Sequence, residues 1–137
     1  MVKIKIFEPG YDKCEFYGYM GDPLTMPEIK KELPYLSNSP SMIWFLAFDE
    51  DELIGFGALE PRKSSANIRN IYVYPEYRKN GVGKKLLDSI LKYSKRYNLP
   101  VTAAVSKEGI ETAFKNYQKL GFVITKQTTN YTFIRRE

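Results

Sequence analysis

The chain has 137 residues, of which 43% are hydrophobic and 27% charged, and its formal net charge is +5. These values are typical of one globular domain, here residues 1–137, and exclude a disordered, collagen-like or coiled-coil chain. The longest apolar run has seven residues, whereas ~20 are needed to span a bilayer. Apolar and charged residues alternate at the N-terminus, which is not typical of a signal peptide. We therefore expect a cytoplasmic protein with no membrane partner.

The first two predicted elements are a strand and a short helix. In Val2–Phe7, two lysines alternate with Val2, Ile4 and Ile6, which predicts a strand with these three apolar residues facing inward. The aromatic segment Tyr11–Tyr19 is interpreted as a short helix with Cys14 and Tyr17 inward.

A second helix and a hairpin follow. Thr25 and Glu28 have the spacing of a capping box, and the helix that they start must end by Leu33 because Pro34 follows. The apolar runs 42–48 and 53–59 flank four acidic residues, which predicts a β-hairpin with a solvated acidic tip.

The second half of the chain contains the strongest helix signal. A strand is predicted at Ile68–Tyr74, and a strand at Val101–Val105 follows the helix. The helix is predicted because apolar residues recur every three or four positions, at Val82, Leu86, Ile90, Tyr93 and Tyr97.

The last predicted elements are a helix and a closing hairpin. The helix has Ile110, Phe114 and Tyr117 on one face and ends at Gly121 in the left-handed conformation. The hairpin strands are 122–126 and 131–135, and they offer edges for a homodimer. Strands and helices interleave throughout, which is typical of an α/β domain.

Two residue types are nearly missing. The chain has no His and a single Cys, Cys14, which excludes Ser-His and Cys-His nucleophile pairs, imidazole and cysteine metal sites and an intramolecular disulfide. We therefore expect no metal centre. Catalysis must use carboxylates, Tyr, Lys, Arg, hydroxyls, backbone dipoles or a cofactor.

The segment before the long helix is predicted to bind an anion. Gly81 and Gly83 leave the backbone open at a helix N-terminus, where unpaired N–H groups and the helix dipole favour negative charge. Four basic side chains flank these glycines: Arg78, Lys79, Lys84 and Lys85. A Walker A loop would need Gly at position 78 and Ser or Thr at 85, and a dinucleotide fingerprint would need Gly at 86, so both are excluded.

Charge is divided unevenly along the sequence. Residues 1–60 have five basic and eleven acidic residues, a net charge of −6, whereas residues 61–137 have sixteen basic and five acidic residues, a net charge of +11. An acidic half beside a basic half suits a protein that binds a polyanion on one face and a cation on another. Surface charge without a function is the alternative interpretation.

Two segments together resemble the GNAT superfamily of N-acetyltransferases. Arg78-x-x-Gly81-x-Gly83 after a strand is similar to the family's Arg/Gln-x-x-Gly-x-Gly/Ala motif, and residues 116–122, Asn-Tyr-Gln-Lys-Leu-Gly-Phe, are similar to its second signature. The element order resembles the family over nearly the whole chain. The resemblance implies a mixed sheet of six to seven strands with four helices, in which the strands ending near Val73 and starting at Val101 diverge.

The resemblance also implies acetyl-CoA as cosubstrate and an amine as acceptor. The pantetheine arm would lie between the diverging strands, and the pyrophosphate would lie on the amides that follow. In this sequence the implied cofactor-binding residues are Ile71, Tyr72, Val73, Arg78, Lys79, Asn80, Gly81, Val82, Gly83 and Lys84.

Tyr117 matches the family tyrosine whose hydroxyl protonates the leaving thiolate, although a core aromatic role would explain the same residue. Two positions depart from the family pattern: Asn116 replaces an aromatic residue, and Ile110 stands where an Asn contacts CoA. A general base is not apparent. Glu60 could act through a water, or it could be a solvated strand end beside Arg62.

In the family, the first two helices and their loop shape the acceptor pocket, which corresponds here to residues 11–36. This segment has five carboxylates and several tyrosines, which suit a cationic amine, although a solvated helix surface would have the same composition. The carboxylates are Asp12, Glu15, Asp22, Glu28 and Glu32, and the tyrosines are Tyr11, Tyr17, Tyr19 and Tyr35.

Two further functions remain open at this point. A CoA-binding protein of the same fold without turnover would account for the missing base and for Asn116. A nucleic-acid-binding module would use the basic half of the chain and its tyrosines, but the amphipathic pattern of 82–97 argues against it.

Overall fold

A computed structural model describes residues 2–106 and 117–137. Short 3₁₀ helices lie at Pro23–Thr25, Pro75–Tyr77 and Lys95–Tyr97. The other elements are β1 (Val2–Phe7), α1 (Lys13–Met20), α2 (Pro27–Glu32), β2 (Ile43–Asp49), β3 (Glu52–Pro61), β4 (Ala66–Val73), α3 (Val82–Ser94), β5 (Val101–Ser106), β6 (Val123–Gln127) and β7 (Tyr131–Arg136).

The strands form one mixed sheet, which confirms the predicted fold class. Its seven strands are ordered β1-β2-β3-β4-β5-β7-β6. The β4–β5 pair is parallel, and the other neighbouring pairs are antiparallel. Among the described residues, no helix is long and apolar enough to cross a membrane.

The sheet has a hydrophobic core on each face. On one face α3 buries its apolar side, including Leu86 and Ile90, against the central strands. On the other face α1 and α2 contribute Phe16, Met20 and Ile29 to a core around Trp44. Central strands β2 and β3 are covered on both faces, and for this reason their sequences are continuously apolar rather than alternating.

A β-bulge changes which side chains of β4 face α3. The pairing Ala58↔Arg69 shifts to Phe56↔Tyr72, so β4 has one extra residue at this point. Asn70 lies at the bulge with a φ of 60°, a left-handed conformation that Asn tolerates better than most residues. Beyond the bulge, Ile71 packs on the α3 face and Tyr72 on the opposite face.

β4 and β5 separate just before the bulge, as the family resemblance implied. Their parallel pairing covers Ala66 to Ile68 on β4 and ends at the pair Ile68↔Ala103. β5 nevertheless continues to pair with β7 as far as Ser106↔Tyr131, and β4 continues beside β3 to Val73. The two strands therefore border a cleft that opens toward their carboxyl ends.

Two predictions of inward-facing residues are wrong. In β1, Ile6 is 43% exposed and Phe7 is buried instead. In α1, Cys14 and Tyr17 are exposed, and Phe16 and Met20 are the buried residues. The sequence of α1 is aromatic on several faces, so its pattern does not distinguish the face that packs on the sheet.

The predicted capping box is also wrong. Thr25 belongs to the 3₁₀ helix, and its hydroxyl donates to the carbonyl oxygens of Gly21 and Asp22 instead of accepting from α2. Met26 is the N-cap of α2, without a side-chain cap. The predicted end at Leu33 is confirmed.

The two predicted hairpins, the remaining strands and the long helix α3 are confirmed with shifts of a few residues. The helix predicted around Ile110 and Phe114 lies mostly outside the described residues, as does Asn116, but residues 117–119 are helical. Gly121, with a φ of 96°, follows this helix. The N–H groups of Gly121 and Phe122 donate to the carbonyls of Gln118 and Tyr117, a pattern that ends a helix with a left-handed residue.

Candidate functional site

The N-terminus of α3 has no side-chain cap. Its N-cap is Gly81, with a φ of 81°, and its first turn has no acidic residue. The first helical hydrogen bond of α3 runs from the N–H of Lys85 to the Gly81 carbonyl, at 3.0 Å. The amides of residues 82–84 come before this bond and have no hydrogen-bond partner within the helix. The unpaired backbone amides and the helix dipole together favour the binding of an anion at the N-terminus of α3.

Neither glycine in this turn is required by crowding within the chain. A Cβ at Gly81 would meet no atom within 4 Å, and one at Gly83 would be 3.8 Å from the Val73 side chain, an ordinary contact. Gly81 is explained by its positive φ, but nothing in the packing explains Gly83. Its missing side chain leaves open space in the first turn of α3, beside the Val73 side chain.

The basic residues around this turn have different surroundings. Lys79, Asn80 and Lys84 are exposed, and Lys79 has a φ of 69°. The ammonium of Lys85 lies 3.5 Å from the carbonyl oxygen of Val2 on β1, away from the turn. The turn therefore presents backbone amides with Lys79 and Lys84 beside them.

Arg78 is held by contacts within the protein. Its guanidinium donates to both carboxylate oxygens of Glu32, at 2.8 and 3.1 Å, and lies 5.2 Å from the centre of the Tyr72 ring. Its Nε donates to the Val73 carbonyl at 2.7 Å, and its backbone N–H donates to the Pro75 carbonyl. Arg78 thus connects the C-terminus of α2 to the end of β4, and its side chain positions the turn.

The edge of β4 beside the cleft exposes backbone hydrogen-bonding groups. Tyr72 pairs with Phe56, and the N–H of Tyr74 donates to the Ile54 carbonyl at 3.0 Å. Because hydrogen-bonding directions alternate along an antiparallel strand, the groups of Ile71 and Val73 face away from β3, toward the side where β5 has separated. The Val73 carbonyl on this side is the one that accepts from Arg78.

Tyr117 lies at the edge of the core on the α3 face of the sheet. Its ring packs edge-on against Phe122, with centroids 5.3 Å apart. Burial raises the pKa of its hydroxyl to about 12. The hydroxyl therefore keeps its proton at neutral pH and is available as a donor.

Glu60 is part of an ion-pair network. Its carboxylate accepts from Arg62 at 2.9 Å, from Arg69 at 3.4 Å and from the Ser39 hydroxyl at 3.2 Å. Burial alone would raise the pKa of Glu60, but the hydrogen bond and charge of Arg62, with Ser39 and Arg69, outweigh burial and lower it. A carboxylate stabilised in its ionised form is a weak base, which favours the interpretation of Glu60 as a structural strand end.

Three of the five carboxylates expected at the acceptor side have partners in the protein. Asp12 caps α1 by accepting from the Glu15 amide at 3.1 Å, Glu15 pairs with Lys5 at 3.1 Å, and Glu32 pairs with Arg78. These three side chains serve the fold, and they are weaker candidates for binding a cation than Asp22 and Glu28.

Sequence reasoning missed two asparagines beside the cleft, Asn38 and Asn70. The side chain of Asn70 donates to the Ser37 carbonyl at 2.9 Å and thereby holds the α2–β2 loop against β4. A detectable signal existed for Asn70, because Asn is rare within strands and its presence between Ile68 and Tyr72 is typical of a bulge. The contacts of Asn38 with Tyr11 and Tyr17 cross more than twenty residues of sequence and had no such signal.

Comparisons with solved structures show the fold. An acyl-CoA N-acyltransferase from Pseudomonas aeruginosa superposes with a TM-score of 0.80 at 15% identity, with both chains fully covered. A GNAT family acetyltransferase from Elizabethkingia anophelis, solved with acetyl-CoA bound, superposes with a TM-score of 0.69 at 21% identity, covering 99% of this chain and 97% of that one.

Comparisons of sequence show the family. The curated Probable N-acetyltransferase 14 of Xenopus tropicalis is 25% identical over 101 residues, which are 72% of this chain and 49% of that protein. The chain thus spans about half the length of this relative. The family model described as Acetyltransferase (GNAT) family matches residues 10–122. The chain therefore belongs to the GNAT family of acetyltransferases.

Proposed function

We propose that this protein transfers an acetyl group from acetyl-CoA to a primary amine, by direct transfer while both substrates are bound. The observation that carries the proposal is the uncapped, glycine-containing N-terminus of α3 beside the cleft between β4 and β5. An anion-binding turn and an unpaired strand edge suit a cosubstrate with a pyrophosphate at one end and amide groups along its arm.

The residues present fit this cosubstrate. The amides of Gly81, Val82, Gly83 and Lys84 would hold the pyrophosphate, with Lys79 and Asn80 beside them, and no side chain at position 83 blocks the approach. The backbone groups of Ile71 and the N–H of Val73 would pair with the pantetheine arm, while the Val73 carbonyl accepts from Arg78. Tyr72 supports Arg78 from the other face of β4. When bound, acetyl-CoA supplies an activated acyl group and a thiolate leaving group.

Tyr117 is the proposed proton donor to the leaving sulfur. Because burial raises the pKa of Tyr117 to about 12, its hydroxyl carries a proton at neutral pH, but it is a weaker acid than a thiol, whose reference pKa is near 8.5. Donation to the sulfur as the C–S bond breaks is therefore uphill by itself, and we propose that it is coupled to the return of a proton to Tyr117 from the acetylated nitrogen, directly or through water. The nitrogen loses one proton, the sulfur gains one, and Tyr117 is restored.

A second candidate is a CoA-binding protein of the same fold that does not turn over. The Glu60 network favours it, since the carboxylate considered as a base is neutralised by Arg62 and Arg69. Many amines have an accessible neutral form near neutral pH and lose a proton to water, so a missing carboxylate base does not exclude transfer.

The test combines binding and turnover. A melting curve with acetyl-CoA at a hundredfold its dissociation constant should show about 2.7 kcal/mol of added stability. CoA release should then require both acetyl-CoA and an amine, and Tyr117→Phe should lower kcat by at least about tenfold. If acetyl-CoA stabilises the protein but no CoA is released, the non-catalytic candidate is favoured. If acetyl-CoA causes neither stabilisation nor CoA release, both candidates are contradicted.

A further inference from the structure

A polar cluster around Asn38 joins α1 to the α2–β2 loop. The side-chain oxygen of Asn38 accepts from the indole N–H of Trp44 at 2.7 Å. Its side-chain nitrogen lies 2.9 Å from the hydroxyl oxygens of both Tyr11 and Tyr17. Both the oxygen and the nitrogen of the Asn38 side chain therefore have partners, and both hydrogens of the nitrogen are used.

The hydrogen atoms in this cluster can be assigned from the chemistry of its members. An indole N–H only donates, so it fixes which end of the Asn38 amide is the oxygen. The amide nitrogen therefore donates one hydrogen to each tyrosine, and both tyrosine oxygens act as acceptors. Each hydroxyl keeps its own hydrogen, which points away from Asn38, and the cluster presents two O–H donors.

These donors are accessible and lie near the mouth of the cleft. Tyr17 is 43% exposed, and Tyr11 is partly exposed. The neighbouring loop residue Ser37 is held by Asn70 at the β4 bulge, two residues beyond the last β4–β5 pair. The cluster lies on the face of the sheet opposite α3, where an acceptor can approach without passing that helix.

Electrostatics around the cluster select the group that these donors would bind. Asp12 follows Tyr11 directly, and Glu15, which pairs with Lys5, lies two residues before Tyr17. Residues 1–60 have a net charge of −6. A carboxylate would be repelled there, whereas a neutral carbonyl attached to a cationic amine would not. A protonated polyamine or alkylamine has N–H donors only, so it gains no hydrogen bond from the two O–H donors.

Building on the proposed function, we propose that the hydroxyls of Tyr11 and Tyr17 donate hydrogen bonds to main-chain carbonyl oxygens of the acceptor. The acceptor class is then the amine of a peptide or protein, rather than a polyamine or a simple alkylamine. Tyr11 and Tyr17 are specificity-determining residues for the acceptor and take no part in proton transfer.

The test compares two acceptors in steady-state acetylation: a short lysine-containing peptide and butane-1,4-diamine. We expect kcat/KM to be higher for the peptide, and Tyr17→Phe to lower it about tenfold for the peptide while leaving the diamine unchanged. Tyr11→Phe should act in the same direction. Tyr97→Phe is the control, since Tyr97 is also partly exposed but lies in the 3₁₀ helix after α3, on the opposite face of the sheet, and it should change the rate with neither acceptor.

Melting curves of each variant show whether the fold is kept. The inference is overturned if Tyr17→Phe and Tyr11→Phe lower kcat/KM equally for both acceptors, or for neither acceptor. Either result leaves acetyl transfer standing. A wild-type preference for the diamine would overturn it as well. Absence of transfer to either amine would contradict the proposed function and this inference together.

Discussion

Burial of the Tyr117 hydroxyl contributes to the dependence of this protein's stability on alkaline pH. Because the pKa of Tyr117 is raised in the folded protein to about 12, against about 10 in an unfolded chain, its neutral form stabilises the fold below pH 10. This contribution is lost as the pH rises through 12. Denaturant unfolding from pH 9 to 12 should therefore show the wild type losing stability relative to Tyr117→Phe. A constant difference between the two would contradict the burial of this hydroxyl.

Gly83 should matter for binding and not for folding. Gly83→Ala adds a methyl group with only an ordinary contact to Val73 and replaces a residue with poor helix propensity, so the free energy of unfolding should stay equal or rise by up to about 1 kcal/mol. In the first turn of α3, the same methyl group should weaken acetyl-CoA binding at least about tenfold. Calorimetric titration and denaturant unfolding of the variant measure both effects.

Gly18→Ala is the matched control for Gly83→Ala. Gly18 lies in α1, and a Cβ there would meet no atom within 4 Å, so a methyl group is accommodated there as at position 83. It should raise stability by a similar amount without changing acetyl-CoA binding. Unchanged binding in Gly83→Ala would remove the proposed role of this turn.

At the scale of elements, the bulge at Asn70 shapes the cleft and positions the loop above it. Asn70→Ala removes the hydrogen bond to Ser37 and places Ala at a φ of 60°, whereas Asn70→Gly removes the hydrogen bond alone. Both should destabilise the protein, and Ala should cost about 1 kcal/mol more than Gly. If the two variants are equally stable in denaturant unfolding, the backbone at position 70 leaves the left-handed conformation in the Ala variant, contrary to this prediction.

How well each element could be predicted depended on the strength of its pattern. The helix α3 and the strands have long apolar periods or runs, and their types follow from these alone. α1 has eight residues with aromatic side chains on several faces, so the burial of Phe16 and Met20 depended on tertiary packing that the sequence does not display. The Thr25 prediction was wrong because a 3₁₀ helix competed for the same hydroxyl.

At the scale of the whole molecule, the candidate site combines a local motif with long-range contacts. The turn at Gly81 and Gly83 was predictable because an anion-binding helix end is encoded in a few consecutive residues. The pairing of Arg78 with Glu32 and the cluster around Asn38 join segments far apart in sequence. Only the tertiary fold brings these segments together, so no local pattern predicts their ion pair and hydrogen bonds. These contacts show that part of the charge that appeared free in the sequence is used internally.

The central claim is that the amides at the start of α3 bind the pyrophosphate of acetyl-CoA. The most direct measurement is a titration of ¹⁵N-labelled protein with acetyl-CoA, followed by the backbone amide resonances. The largest shifts should occur at Gly81, Val82 and Gly83, with further shifts at Ile71 and Val73. Saturable binding that leaves the resonances of residues 81–83 in place would contradict the account.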